Sequence, residues 1–176
     1  EVLLNILAYE LQRVGGTKLA TESLFQAVRA VCRRVSGAYT ALVMINGYGL
    51  LAFRDPNGIR PLVYGSRKTQ AGIDYMVASE TIALDALGYK LIDDVGPGEA
   101  IFIDLEGKVH RKLCATTVSR NPCLFEYIYL ARPDSVVDKI SIYKSRLAMG
   151  HALANKVKKV FPQNDIDVVI PIPDTS

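Results

Sequence analysis

The stretch F-R-D-P-N-G-I-R-P-L-V-Y-G at residues 53–65 lies between two apolar runs, yet it holds two arginines, an aspartate, two prolines and an Asn-Gly pair. Asp55-Pro56-Asn57-Gly58 reads as a tight turn, because Pro presets φ and Asn-Gly accepts a positive φ. Arg54 and Arg60 flank it, and each has two uses. Either they pair with Asp55 or with backbone carbonyls and brace a polar hairpin tip, or they hold a carboxylate or phosphate. The residues alone leave both readings open.

Strands are expected on both sides of the turn. L-L-A-F-R at 50–54 leads into it and L-V-Y at 62–64 leaves it. Upstream, A-Y-T-A-L-V-M-I-N at 38–46 is a further β-rich run, joined through a turn at Gly47-Tyr48-Gly49. Before it come two helices. Val2, Leu3, Ile6, Leu7 and Leu11 recur at helical spacing up to Gly15-Gly16. A second helix starts near Thr21, read as its N-cap, with Leu24, Val28 and Val31 on one face.

Downstream, Y-M-V-A at 75–78 is a strand, and a short helix carries Ile82, Leu84 and Leu87 to Gly88. Residues 100–104 and 108–112 form a hairpin, and L-F-E-Y-I-Y-L at 124–130 reads as a strand rich in aromatics. Residues 134–143 read as a linker or crossover. A helix over 145–160 is expected to bury Leu147, Leu153, Ala154 and Val157, and to expose Lys156, Lys158 and Lys159. D-I-D-V-V-I-P-I at 165–172 has the near-continuous apolar pattern of a parallel strand covered on both faces.

The composition is that of an ordinary globular protein: 49% hydrophobic and 22% charged residues. A net charge of +3, from 21 basic and 18 acidic residues, is too weak and dispersed for a nucleic-acid partner. Apolar runs are short, which argues against a membrane span. Cys32, Cys114 and Cys123 are odd in number and show no C-x-x-C spacing, which favours a reducing compartment over a disulfide scaffold. The chain reads as an interior fragment, since Glu1 already opens a helical pattern and the last residues run from a strand into a loop.

Several motifs in fixed order carry a resemblance. The 53–65 stretch resembles the hairpin segment of class II, N-terminal-nucleophile glutamine amidotransferases. Y-M-V-A-S-E-T-I-A-L-D at 75–85, D-V-G-P-G-E-A at 94–100, N-P-C-L-F-E-Y-I-Y-L-A-R-P-D-S at 121–135 and D-V-V-I-P-I-P-D-T-S at 167–176 narrow it to the amidophosphoribosyltransferase family. Ordered motifs across the chain are more specific than any one alone.

The resemblance implies an α+β fold: an αββα N-terminal-nucleophile hydrolase sandwich, incomplete at its N-terminus, followed by the start of an α/β phosphoribosyltransferase domain. Residues 1–130 would be the later part of the glutaminase domain, and residues 131–176 the linker and first part of the transferase domain. The implied reaction joins glutamine and phosphoribosyl pyrophosphate to give 5-phosphoribosylamine, pyrophosphate and glutamate. It opens purine synthesis. The fragment alone is expected to be inactive and marginally soluble. The family's nucleophile is an N-terminal cysteine whose own amine is the base. No residue of this chain matches it, nor the upstream oxyanion Asn-Gly, so no catalytic residue is expected here. The hairpin is scaffold in the family, which favours the bracing reading of Arg54 and Arg60.

Asp174, Thr175 and Ser176 match the loop that approaches the pyrophosphate, with Thr175 at a Mg²⁺ position. As residues, D-T-S is equally an N-cap for a following helix. Tyr129 matches a position near the route between the two sites, a possible ammonia channel, and is equally a Tyr packed in a core. Cys123 matches one ligand of the iron–sulfur cluster that some members hold. A cluster needs four thiolates, and the reading leans against one. The family's likeness extends to homo-oligomers, purine-nucleotide feedback inhibitors and a cytoplasmic setting. His110, expected to be exposed, and His151 show no spacing that suggests a metal or a catalytic pair. Two other readings stand behind this one: another class II amidotransferase, or a non-catalytic module on the same scaffold.

Overall fold

The computed structural model describes residues 1–15 and 19–172. α1 (Val2–Gly15) and α2 (Thr21–Arg34) pack together and lay Leu7, Leu24, Phe25, Val28 and Val31 on the first sheet. Glu10 is buried between them, held by Arg13 at 2.8 Å and Arg34 at 2.6 Å. Thr21 is not the N-cap of α2. Ala20 takes that position, with no side-chain cap, and Thr21 is already helical.

The first sheet has the order β1-β2-β6-β7, every pair antiparallel: Thr40–Ile45, Gly49–Arg54, Glu99–Asp104 and Val109–Leu113. Its two central strands are buried on both faces, and the period of two decides which residue goes where. Leu51, Phe53, Ala100 and Phe102 face the helices, whereas Ala52, Ile101 and Ile103 face the second sheet. Leu51 sits opposite Phe102 and Ala52 opposite Ile101, so each cross-strand pair serves one layer.

The second sheet has the order β4-β3-β5: Gly72–Ala78, Val63–Thr69 and Lys90–Asp94. Tyr64, Val77 and Val95 pack on the first sheet with Leu62. α3 (Thr81–Ala86) covers the outer face. The Leu84 side chain lies 3.0 Å from where a Cβ on Gly65 would stand, so this strand must be bare there. Helix pair, sheet, sheet and helix make the αββα layering of an α+β fold. β5 is absent from the sequence reading, because K-L-I-D-D carries charge at both ends of a short apolar pair.

Four expectations change in the last third. Residues 124–130 are not a strand: Leu124 and Phe125 are helical and Glu126–Leu130 form a π-turn. Bonds within the turn replace the ladder that no neighbouring strand supplies. The 134–143 linker holds a two-stranded ribbon, β8 (Val136–Val137) and β9 (Ile140–Ser141), turned through Asp138 and Lys139 at φ 49° and 68°. α4 runs from Ile142 to Val160, but Leu147, Leu153, Ala154 and Val157 are exposed rather than buried. Residues 165–172 form no strand. A parallel strand is made by its neighbours' hydrogen bonds, and no described strand flanks it.

Candidate functional site

Charges hold the 53–65 stretch in a socket that receives the later part of the chain. Asp55 is fully buried and caps the turn with its carboxylate. Oδ1 accepts from the Asn57 amide at 2.9 Å, and Oδ2 from the Ile59 amide at 3.0 Å. The Gly58 amide donates to the Asp55 carbonyl at 3.0 Å. Gly58 stands at φ +59° with Pro97 Cγ 2.7 Å from its missing Cβ, so both conformation and space demand glycine.

Arg54 ends β2 and points into the core. Its carboxylate partner is Asp138, not Asp55. Nη1 donates to Asp138 Oδ1 at 2.8 Å and Nη2 to Oδ2 at 3.0 Å. Further hydrogens go to the Val95 carbonyl at 3.0 Å and the Gly58 carbonyl at 2.8 Å. The two side chains are 1% and 2% exposed. The fork geometry suits a planar carboxylate, and burial strengthens the attraction while raising the cost of separating the pair. Arg120 adds a longer ionic contact to Asp138 at 3.9 Å. The Asp138 amide donates to Asp94 Oδ1 at 3.2 Å. Burial, and then the Asp138 charge, push the Asp94 carboxyl above its ordinary value.

Arg60 leaves the turn and meets Glu126 of the π-turn at 2.6 Å. Burial raises the Glu126 carboxyl, and Arg60 opposes the shift. Between these anchors, residues 119–123 run alongside the turn. The amides of Ser119, Asn121 and Cys123 donate to the carbonyls of Pro56, Asn57 and Ile59 at 3.0, 2.8 and 3.0 Å. Glu80 closes the far side, its Oε2 accepting from the Arg132 amide at 2.8 Å and the Ser135 hydroxyl at 2.7 Å. The Val136 amide donates to Thr81 Oγ1 at 2.9 Å. Both arginines pair within the chain, Arg54 with Asp138 and two backbone carbonyls and Arg60 with Glu126, and neither pairs with Asp55.

Tyr129 sits on the π-turn and is 69% exposed, not packed in a core. Leu124, Phe125, Ile128 and Leu130 are exposed beside it. Asp174, Thr175 and Ser176 lie outside the described residues, so the expected pyrophosphate loop and Mg²⁺ position have no geometry here. Cys123 is half-buried in the segment that runs alongside the turn, whereas Cys32 and Cys114 belong to the core under the helices. Among the described residues no three His, Cys, Asp or Glu gather as a metal-holding group. No described helix is long and apolar enough to cross a membrane.

His110 is half-buried rather than exposed. It bonds Asp104 at 2.8 Å across the β6–β7 hairpin and stacks on Phe102. The sequence reading also missed the socket's carboxylates. A signal was there: Glu126 is a lone acid inside L-F-E-Y-I-Y-L, and Asp138 follows two valines. Acids embedded in apolar runs are buried only when paired.

No protein-family model matches the chain. It is 52% identical over 176 residues to the amidophosphoribosyltransferase of Pseudomonas aeruginosa, covering 100% of this chain and 35% of that protein. It is 51% identical over 177 residues to that of Escherichia coli, with the same coverage of each. Among solved structures it is similar to a glutamine phosphoribosylpyrophosphate amidotransferase from B. subtilis complexed with ADP and GMP. The TM-score is 0.71 at 33% identity, over 86% of this chain and 31% of that one. The chain thus resembles amidophosphoribosyltransferases from end to end, and spans about a third of the length of the curated relatives it matches.

Proposed function

We propose that this chain, similar along all of its length to amidophosphoribosyltransferases, is part of an enzyme that makes 5-phosphoribosylamine. In this reading residues 1–130 are the later part of a glutaminase unit, and residues 131–176 open a phosphoribosyltransferase unit. The observation that carries it is continuity: the similarity runs unbroken across residue 130 and covers 100% of the chain. A relative sharing only the glutaminase sandwich would lose its likeness there.

The reaction has two halves. Water cleaves the C–N bond of the glutamine side-chain amide and leaves glutamate and ammonia. The ammonia nitrogen then attacks C1 of phosphoribosyl pyrophosphate, the C1–O bond breaks, and pyrophosphate departs. The described residues supply the frame. The socket at 54–60 grips Asp138 and Glu126, and so fixes the start of the second unit against the sheets of the first. Tyr129, outward at this junction, is assigned to the route the ammonia takes.

Asp174, Thr175 and Ser176 are assigned to the pyrophosphate loop. Their carboxylate and hydroxyl oxygens are the hard donors that Mg²⁺ prefers, with Thr175 as its ligand. When bound, the ion neutralises phosphate charge. The apolar side chains exposed on α4 and in the 165–172 run suit the inner layer of an α/β domain. Purine-nucleotide feedback, a homo-oligomer and a cytoplasmic setting belong to the same reading, supported for nucleotides by the ADP and GMP named for the B. subtilis structure.

The test uses the full-length polypeptide. Its mature N-terminus is read by mass spectrometry, and pyrophosphate release from phosphoribosyl pyrophosphate is followed with and without glutamine. An N-terminal cysteine with glutamine-dependent release is expected. Neither would leave a scaffold without the chemistry.

A further inference from the structure

The π-turn ends in an exchange of partners. Its defining bond runs from the Ala131 amide to the Glu126 carbonyl at 3.1 Å, five residues apart. The next bond of that kind would join the Arg132 amide to the Tyr127 carbonyl, and it is not made. The Arg132 amide goes to Glu80 instead, at 2.8 Å. The Tyr127 carbonyl accepts Arg146 Nε at 3.0 Å, and Arg146 Nη2 donates to the Ala131 carbonyl at 2.6 Å. Arg146 has no carboxylate partner among the described residues; its charge is directed at these two carbonyls. Tyr129 lies midway between them in sequence.

We propose that Arg146 is a positioning residue: through these two carbonyls it holds the segment bearing Tyr129 in its π form and couples that segment to α4. Nε and Nη2 lie on one edge of a planar group, so together they fix orientation as well as distance, which a lysine cannot do. At its first residue Arg60 grips Glu126. The turn is therefore clamped from the hairpin by one arginine and from α4 by another. π-turns are rare local forms that frequently occur at functional sites. Without Arg146 the two carbonyls lose their donors, and the turn can shed its extra residue and relax to α. Each residue of register rotates the remainder of the turn by roughly 100° about the axis, which would swing Tyr129 off its present direction. The activity arm of the test rests on the function proposed above; the exchange arm does not.

The experiment compares Arg146→Met and Arg146→Lys with the wild type in the full-length polypeptide. Hydrogen exchange of residues 126–132 reports the turn itself, and the Ala131 amide is expected to exchange at least about tenfold faster in R146M. Pyrophosphate release is measured with glutamine and, separately, with ammonium as nitrogen donor. The glutamine-to-ammonia ratio is expected to fall about tenfold in R146M, with the ammonia rate within about twofold of wild type. R146K, with a single-point donor, is expected to fall between. Unchanged Ala131 exchange overturns the proposal, as does a proportional loss of both rates, which is what general structural damage gives. A wild-type protein with no glutamine-dependent release overturns the functional reading instead, and exchange alone then decides the clamp.

Discussion

Arg54 and Asp138 lie 84 residues apart in sequence and meet as a two-pronged ion pair at 2.8 and 3.0 Å, both side chains out of water. One ends a central strand of the first sheet and the other belongs to a two-residue turn near the start of α4. The pair therefore acts across the chain, and its loss is felt far from either residue.

Removing one partner leaves a buried charge. Arg54→Met and Asp138→Asn should each cost about 3–5 kcal/mol of stability. Asn keeps the left-handed backbone of position 138 accessible, so the second change tests charge rather than strain. Urea unfolding of both singles and the double should show a coupling above about 1 kcal/mol. Additive losses would mean the two residues act separately.

Gly58 should resist a methyl group. Gly58→Ala places a Cβ 2.7 Å from Pro97 Cγ at φ +59°. The expected loss is about 1–3 kcal/mol, read as a lowered urea midpoint with unchanged slope. Wild-type stability in this variant would show that the turn can rearrange.

Two carboxylates should give stability slopes of opposite sign with pH. Arg34 holds the Glu10 carboxyl below its ordinary value. Its contribution is thus present above the ordinary carboxylate range and lost as pH falls through the lowered value. Glu10→Gln should be less stable than wild type at neutral pH, the gap closing in acid. Burial raises Asp94. The fold binds its proton more tightly than the unfolded chain, so stability falls as pH rises from the ordinary value through the raised one. Asp94→Asn should melt higher than wild type at neutral pH and match it in acid, since Asn still offers an oxygen to the Asp138 amide. Thermal melts across pH decide both, and parallel curves would refute the assignment.

Thiol labelling should follow exposure. Burial pushes the Cys114 thiol up to about 12 and raises Cys32 as well. Cys123 is half-buried in the segment beside the turn. Brief iodoacetamide treatment of the native protein at about pH 8 should modify Cys123 first, because the thiolate is the nucleophile. Peptide mass spectrometry that found Cys114 modified first would place it outside the helix-covered core.

The sandwich was legible where local and global signals agree. Helical spacing in α1 and α2 names a face, and the fold uses those faces, whereas β2 and β6 are short apolar runs buried on both faces. Asp-Pro-Asn-Gly announced its turn, because Pro and Gly restrict the backbone whatever surrounds them. Residues 124–130 misled because aromatic β-propensity is only a fit to a pleated surface, and no neighbouring strand provides one.

The sequence by itself determined the helices, most of the paired strands, the turn and, through ordered motifs, the resemblance. Those rest on short-range geometry and on residues that lie close together in the chain. Only the tertiary structure decided the partners: that Arg54 meets Asp138, that Arg60 meets Glu126, and that Arg146 completes the π-turn. A charge pairs with whatever the fold brings within a few ångströms in a water-poor interior, and sequence distance carries no record of that approach.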